Sequence, residues 1–297
     1  MSGQIISASR RTDIPALYSE WLTRRIAAGF CRYRHPFTRQ WMTVSLRPED
    51  VGGLVLWTRN IGPLMPHLDG IWALYPFYVQ ITINDYPAQF EPRVQAAWEA
   101  VGQARELSSR FGPDALVWRF DPIVLTPEIG AAETLARFGR LARQLEGATQ
   151  ACVFSFMSPY RRQQHAFRAA GVEYREPCAE ERLDLALAMA HIASDHGFSL
   201  AACCNVDLLS GPVAKAHCVD PARLIRLGAQ LPEGVPAAPS RPGCGCHRSV
   251  DIGAYDLCPA GCLYCYANQS PARALANHAR HDPDHEALVE ACEVRGD

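Results

Sequence analysis

The chain has 297 residues, 48% apolar and 20% charged, enough to bury a full core in one large domain or two small ones. Its 29 basic residues nearly match 31 acidic ones, for a net charge of -2, so nothing global argues for a nucleic-acid or membrane partner. No apolar run is long enough to cross a bilayer, and the start, MSGQIISASRRTDIP, lacks a signal-peptide pattern, so the chain is expected in the cytosol.

QIISAS (4–9) reads as the first strand, short and β-branched, followed by GLVLWT (53–58) and FYVQITI (77–83). PRVQAAWEAVGQARELSSRFG (92–112) then has apolar residues at three- and four-residue intervals and ends at Gly, the pattern of an amphipathic helix. ALVWRF (115–120) and ACVFSF (151–156) are further strands, AEERLDLALAMAHIASDHG (179–197) a second helix, and FSLAAC (198–203) a sixth strand. Strands alternating with helices predict a parallel sheet with helices outside it.

Nearly every strand ends in polar residues: SASRRTD, WTRN, ITIND, WRFDP, FSFMSP and AACCN. In a parallel (β/α) barrel these ends converge on one rim, where active sites lie, so a partial or closed TIM-like barrel is expected, with an open doubly wound sheet as second choice. The Pro/Gly/Ala-rich stretch 228–243 reads as a linker. It divides the barrel, 1–243, from a cysteine-rich segment, 244–297, packed on it.

Twelve cysteines in a reducing cytosol point to metal binding or catalysis rather than disulfides. Cys31, Cys152, Cys178 and Cys292 are scattered singly and read as small apolar residues. The other eight fall between Cys203 and Cys265. Cys258, Cys262 and Cys265, in YDLCPAGCLYCYANQ, have the spacing C-x3-C-x2-C, with Gly261 able to take the positive φ that lets the backbone wrap closely. Three readings compete for them. Structural zinc prefers C-x2-C pairs and four ligands. Electron-transfer ferredoxins use C-x2-C-x2-C-x3-C-P. The third is a [4Fe–4S] cluster held at three corners, its last iron open to a small molecule.

CPAGCLYC resembles the cluster motif of the radical S-adenosylmethionine superfamily, C-x3-C-x-aromatic-C, with Tyr264 at the aromatic position, and CLYCYA is similar to its spore photoproduct lyase-like branch. The resemblance implies a three-cysteine [4Fe–4S] cluster whose open iron chelates S-adenosylmethionine, an electron donor, one-electron C–S cleavage to a 5′-deoxyadenosyl radical, and a partial or full (β/α) barrel. In most relatives the motif follows the first strand; here it is C-terminal. SVDIGAYD (249–256) is therefore expected beside QIISAS, in a barrel with permuted strand order. The chain from IISASRRTDIPA through LWTRN and RFDPI to CGCHRSVDIGAYDLCPAGCLYCYAN also resembles an uncharacterised bacterial domain-of-unknown-function family carrying this C-terminal triplet.

Cys244, Cys246, Cys218 and Cys203 are expected to form a second site, for an auxiliary iron–sulfur cluster or zinc, with unligated buried thiols as the alternative. Strand alternation favours Cys203 over Cys204. Arg10, Arg11, Asp13, Arg59, Asn84, Asp85, Arg119 and Asp121 follow strands and are expected on the rim. There, with Tyr264, the arginines and Asp121 are candidates for binding S-adenosylmethionine or an anionic substrate, the alternative being Arg–Asp pairs that tie loops together. His247 is a further candidate ligand, whereas NHARHDPDHE (277–286) reads as a solvated tail. The substrate is a small molecule or contains a nucleotide, nucleic acid staying open. A non-catalytic iron–sulfur or zinc protein is the other reading.

Overall fold

The computed structural model describes residues 3–157 and 160–289; Cys292 and the end of FSFMSP lie outside the described residues. In chain order the elements begin with β1 (Gln4–Ala8), α1 (Ile14–Leu17), α2 (Ser19–Ala28), a hairpin of β2 (Phe30–Arg34) and β3 (Trp41–Ser45), and β4 (Val51–Thr58). There follow α3 (Leu68–Trp72), β5 (Phe77–Thr82), α4 (Ala97–Phe111), β6 (Leu116–Ile123), α5 (Ala131–Leu145), β7 (Ala151–Phe156) and α6 (Arg161–Ala169). The chain continues through α7 (Ala179–Asp195), β8 (Ser199–Ala202), β9 (Val213–Lys215), α8 (Pro221–Arg226), β10 (Val250–Asp251) and α9 (Pro271–Ala279).

Eight strands form one sheet in the order β10-β1-β4-β5-β6-β7-β8-β9, and every ladder in it is parallel. The fold is thus α/β. Among the described residues no ladder joins β10 to β9, so hydrogen bonds do not close the sheet into a barrel. β10 pairs with β1 through Ile6↔Val250 and Ser7↔Asp251, which puts the chain's last strand at the sheet edge beside its first.

The strands are apolar on both faces because both faces are covered. One face sends Ile6, Leu54, Leu56, Val79, Trp118 and Phe154 into the main core with α4, α5 and α7. Phe138 of α5 stacks on Trp118 at 4.9 Å between ring centres, a contact worth about 0.5–1.5 kcal/mol beyond its buried area. The other face presents Ile5, Val55, Tyr78, Val117 and Val153, and these pack against Cys218, Val219, Leu224, Ala229, Cys244 and Cys246.

Coverage of this second face differs from the expected free linker. Leu231 and Val235, inside 228–243, pack against it as well, because its apolar residues need a cover that the helices on the opposite side cannot supply. The β2–β3 hairpin was not expected either; FCRYR and WMTVS carry too many polar residues to read as strands, yet Cys31 and Val44 bury their side chains in the core. The histidine-rich 277–286 stretch is partly docked rather than solvated: His278 Nδ1 lies 2.9 Å from the Tyr18 hydroxyl, and Trp21 Nε1 donates to the His285 carbonyl at 2.9 Å.

Candidate functional site

The C-terminal end of β5 and the loops that leave β1, β4, β6, β7 and β10 converge on one cavity of about 240 Å³, near the lower end of ligand-pocket sizes. Cys258, Cys262 and Cys265 all line it. So do Arg10, Arg11, Arg59, Arg119, Asp121 and Tyr264.

The triplet loop is placed by β10. That strand is only two residues long, so two ladder positions cannot hold it alone, and the Asp251 carboxylate supplies the rest. It accepts from Ser7 Oγ (3.1 Å), Ser9 Oγ (2.6 Å), Arg10 N (3.0 Å), Arg11 Nε (3.2 Å), Arg11 Nη2 (3.1 Å) and Gly253 N (3.1 Å). Burial pushes the Asp251 pKa up, but Arg11 and Arg10 outweigh it and hold the carboxyl below its ordinary value. Gly253 must be glycine, because a Cβ there would lie 1.9 Å from Ser9 Oγ.

Beyond it, Thr12 Oγ1 donates to the Ala254 carbonyl and Tyr18 to the Leu257 carbonyl at 2.7 Å. Gly261 has φ 76°, the left-handed turn expected between the first two cysteines. Asn268 donates to the Cys258 carbonyl at 2.6 Å, Arg93 to the Pro259 carbonyl at 2.8 Å, Leu263 N to the Phe90 carbonyl at 3.0 Å, and Tyr266 to the Arg10 carbonyl at 2.7 Å. Burial pushes the Cys258 and Cys262 thiols up to about 12, with Asp13 adding to the rise at Cys258 and Arg59 opposing it at Cys262.

The rim arginines are already paired. Arg10 and Arg11 face Asp251 at 3.5 and 3.1 Å, Arg59 faces Glu91 at 2.8 Å, and Arg119 pairs with Asp121, whose other oxygen accepts from Ser155. Tyr264 is buried, its hydroxyl donating to Glu91, accepting from Arg59 and lying 3.3 Å from Asn84 Nδ2. Asp13, in the cavity lining, binds the Arg59 amide at 2.8 Å; Asn84 binds the Asp121 amide at 2.9 Å and Asp85 lies 3.8 Å from Arg140, and neither of these two lines this cavity.

A second group of thiols lies on the sheet face covered by the 216–246 region. Cys203 Sγ is 3.6 Å from Cys218 Sγ and 3.7 Å from Cys204 Sγ; Cys204 also contacts Cys244, Cys244 contacts Cys246, and Cys246 contacts Cys218. Five sulfurs thus form a ring, one more than expected. Cys204 joins because β8 ends at Ala202, so strand alternation no longer governs it, and its φ of 60° turns the side chain back beside Cys203. His247 stands outside the ring, Nδ1 3.2 Å from the Val219 carbonyl. Of the single cysteines, Cys31 and Cys152 are buried and Cys178 caps α7.

Thiolates are soft-metal donors, and here three thiols of one loop line one cavity while five are gathered elsewhere. As the side chains stand, no group of three or more His, Cys, Asp or Glu among the described residues could hold a metal ion. The sequence reading missed Asp251, Glu91 and Arg241. Arg241 lines the cavity beside Cys203 and Cys204, with no carboxylate partner among the described residues, and was hidden in the presumed linker. Among the described residues no helix is long and apolar enough to cross a membrane.

One family profile, described as a domain of unknown function (DUF1848), matches residues 5–267, a span from β1 to just past Cys265 that includes both groups of thiols. No curated protein matches the chain.

Proposed function

The chain belongs to the DUF1848 family, a membership that assigns no activity, and we propose that it is a radical S-adenosylmethionine enzyme whose Cys258, Cys262 and Cys265 hold a [4Fe–4S] cluster. The observation that carries this reading is the meeting of all three thiols, from one short loop, in a single cavity at the C-terminal end of a parallel sheet. In this reading the sheet is a partial (β/α) barrel with permuted order, β10 taking the place of the first strand and delivering the loop to the rim. When bound, the cluster and S-adenosylmethionine supply one-electron cleavage of a C–S bond and, with it, a 5′-deoxyadenosyl radical.

The chain's own residues bind and orient. Leu263 and Tyr264 pack with Tyr86 and Phe90, keeping water from one flank of the loop. Asp251 and the Arg59–Glu91–Tyr264 group fix the loop against β1 and β4. Because Arg10 and Arg11 share the Asp251 carboxylate while Arg59 faces Glu91 and Arg119 faces Asp121, they act as oriented hydrogen-bond donors with most of their charge balanced. Arg241 is the cavity cation suited to a carboxylate or phosphate of the cofactor or substrate. An external electron donor and a small-molecule or nucleotide-containing substrate complete the reading.

Anaerobically reconstituted protein should hold about four irons at the triplet, cleave S-adenosylmethionine to 5′-deoxyadenosine after dithionite reduction, and change its electron paramagnetic resonance signal when S-adenosylmethionine is added. Cys262→Ala should abolish cleavage. Iron without cleavage or spectral change would instead establish a non-catalytic redox protein, and cleavage by Cys262→Ala at the parent rate sinks the assignment.

A further inference from the structure

The five-thiol ring has no part in the proposed reaction, yet it is built from three separate segments. Cys203 and Cys204 leave β8, Cys218 follows β9, and Cys244 and Cys246 return from the 228–243 stretch. Each segment is pinned. The Cys218 carbonyl accepts from Tyr78 Oη and Gln80 Nε2, both at 2.6 Å, while the Cys246 carbonyl accepts from Ala238 N at 2.8 Å and the Val219 carbonyl from His247 N at 3.1 Å. Bringing five thiols together from such distant positions has little value for packing alone, since single apolar side chains would cover the sheet equally well.

Two physical arguments point to what the ring holds. The first is spacing. Four thiolates around one tetrahedral ion, each about 2.3 Å from it, stand about 3.8 Å from one another. The Cys203–Cys218 separation of 3.6 Å is close to that value. Thiolates of a cubane cluster sit on different irons and must stand much further apart. The second is charge. Arg119 Nη1 lies 3.2 Å from Cys218 Sγ, and the Arg241 guanidinium lies beside Cys203 and Cys204. Two guanidiniums thus stand against the sulfurs, an arrangement that suits a site carrying negative charge. A divalent ion with four thiolates carries two negative charges; Arg241, with no carboxylate partner among the described residues, offsets part of them, and Arg119, paired with Asp121, adds a donor to Cys218.

We propose that Cys218, Cys244, Cys246 and one of the vicinal pair Cys203/Cys204 bind a single divalent ion of the zinc class in a closed tetrahedral site. Binding replaces the ring of S–H···S contacts: side-chain rotations turn four sulfurs onto one centre, four protons go to solvent, and no electron moves. The site is structural, since no coordination position stays open. It clasps the 216–246 cover to the sheet and holds Arg119 and Arg241 in the wall of the neighbouring cavity, Arg119 reaching from Cys218 to Asp121. This inference does not depend on the activity proposed for the triplet.

Metal analysis of the full-length chain decides it. Cys262→Ala protein, purified under reducing conditions, should contain about one zinc and negligible iron. The Cys244→Ala/Cys246→Ala double variant should lose the zinc while the triplet still takes up iron on reconstitution. At most one of Cys203→Ala and Cys204→Ala should lose zinc, and the variant lacking both should lose it. Because a variant can fail to fold, the intact Cys262→Ala protein is also stripped with a chelator and titrated with Co²⁺, which should give tetrahedral-thiolate absorption with an end point at about one equivalent. About four irons in Cys262→Ala, loss of zinc in both single variants of the vicinal pair, or a Co²⁺ titration without that absorption overturns the proposal.

Discussion

Asp251 is the contact on which delivery of the triplet loop depends, and Asp251→Asn tests it. An Asn oxygen at the Oδ1 position can still accept from Ser9, Arg11 and Gly253, but the amide nitrogen then meets the Arg10 N–H, donor against donor, where Oδ2 now accepts at 3.0 Å. The substitution also leaves Arg11, whose side chain is 8% exposed, without its counter-charge. Removing one partner of a buried ion pair costs about 3–5 kcal/mol, and the hydrogen bonds that survive place this case at about 3. At about 2 °C per kcal/mol for a chain of this size, the melting temperature should fall by about 6 °C. Iron retained at the triplet after reconstitution should fall with it. The pH dependence has a definite sign. Asp251 has a depressed pKa, so its contribution is fully present above the ordinary carboxylate value of about 3.9 and is lost as pH falls through the lower folded value. The gap between parent and variant should therefore be constant near neutrality and close only in acid. A variant that melts within about 1 °C of the parent at pH 7 and binds iron equally well would refute the argument.

Gly253→Ala attacks the same junction by volume: its Cβ would fall 1.9 Å from Ser9 Oγ, so β1 and β10 must part. Chemical denaturation should show a loss of about 1–3 kcal/mol together with reduced iron binding, and a neutral result would mean that the strand pair has slack the structure does not show. Tyr264→Phe removes the hydroxyl shared by Glu91, Arg59 and Asn84 but leaves the Arg59–Glu91 pair at 2.8 Å, so stability should drop by about 1–3 kcal/mol in urea while the triplet still takes up iron. Unchanged stability would show that this hydroxyl is not part of the buried network.

The sheet strands and the long helices were legible because their signals are local. Val, Ile and Phe runs bounded by polar residues match β4 to β8, and the three-and-four spacing of 92–112 and 179–197 matches α4 and α7. The pairing of β10 with β1 was expected too, because the resemblance puts a strand before the triplet and beside QIISAS, whereas its place at a sheet edge was not. The β2–β3 hairpin escaped because its polar outer face hides the alternation, and the covering role of 216–246 because Pro and Gly mark irregular backbone without saying whether it is exposed.

What the amino-acid order determined by itself is therefore the repeating strand–helix pattern, the triplet and its turn at Gly261, since each depends on residues a few positions apart. Which charges are free and which thiols meet was decided only in three dimensions. Asp251 reaches Arg10 and Arg11 across some 240 positions of chain, so those arginines look available in the sequence and are paired in the fold. Likewise Cys204 joins the sulfur ring through a left-handed backbone angle that no strand periodicity encodes.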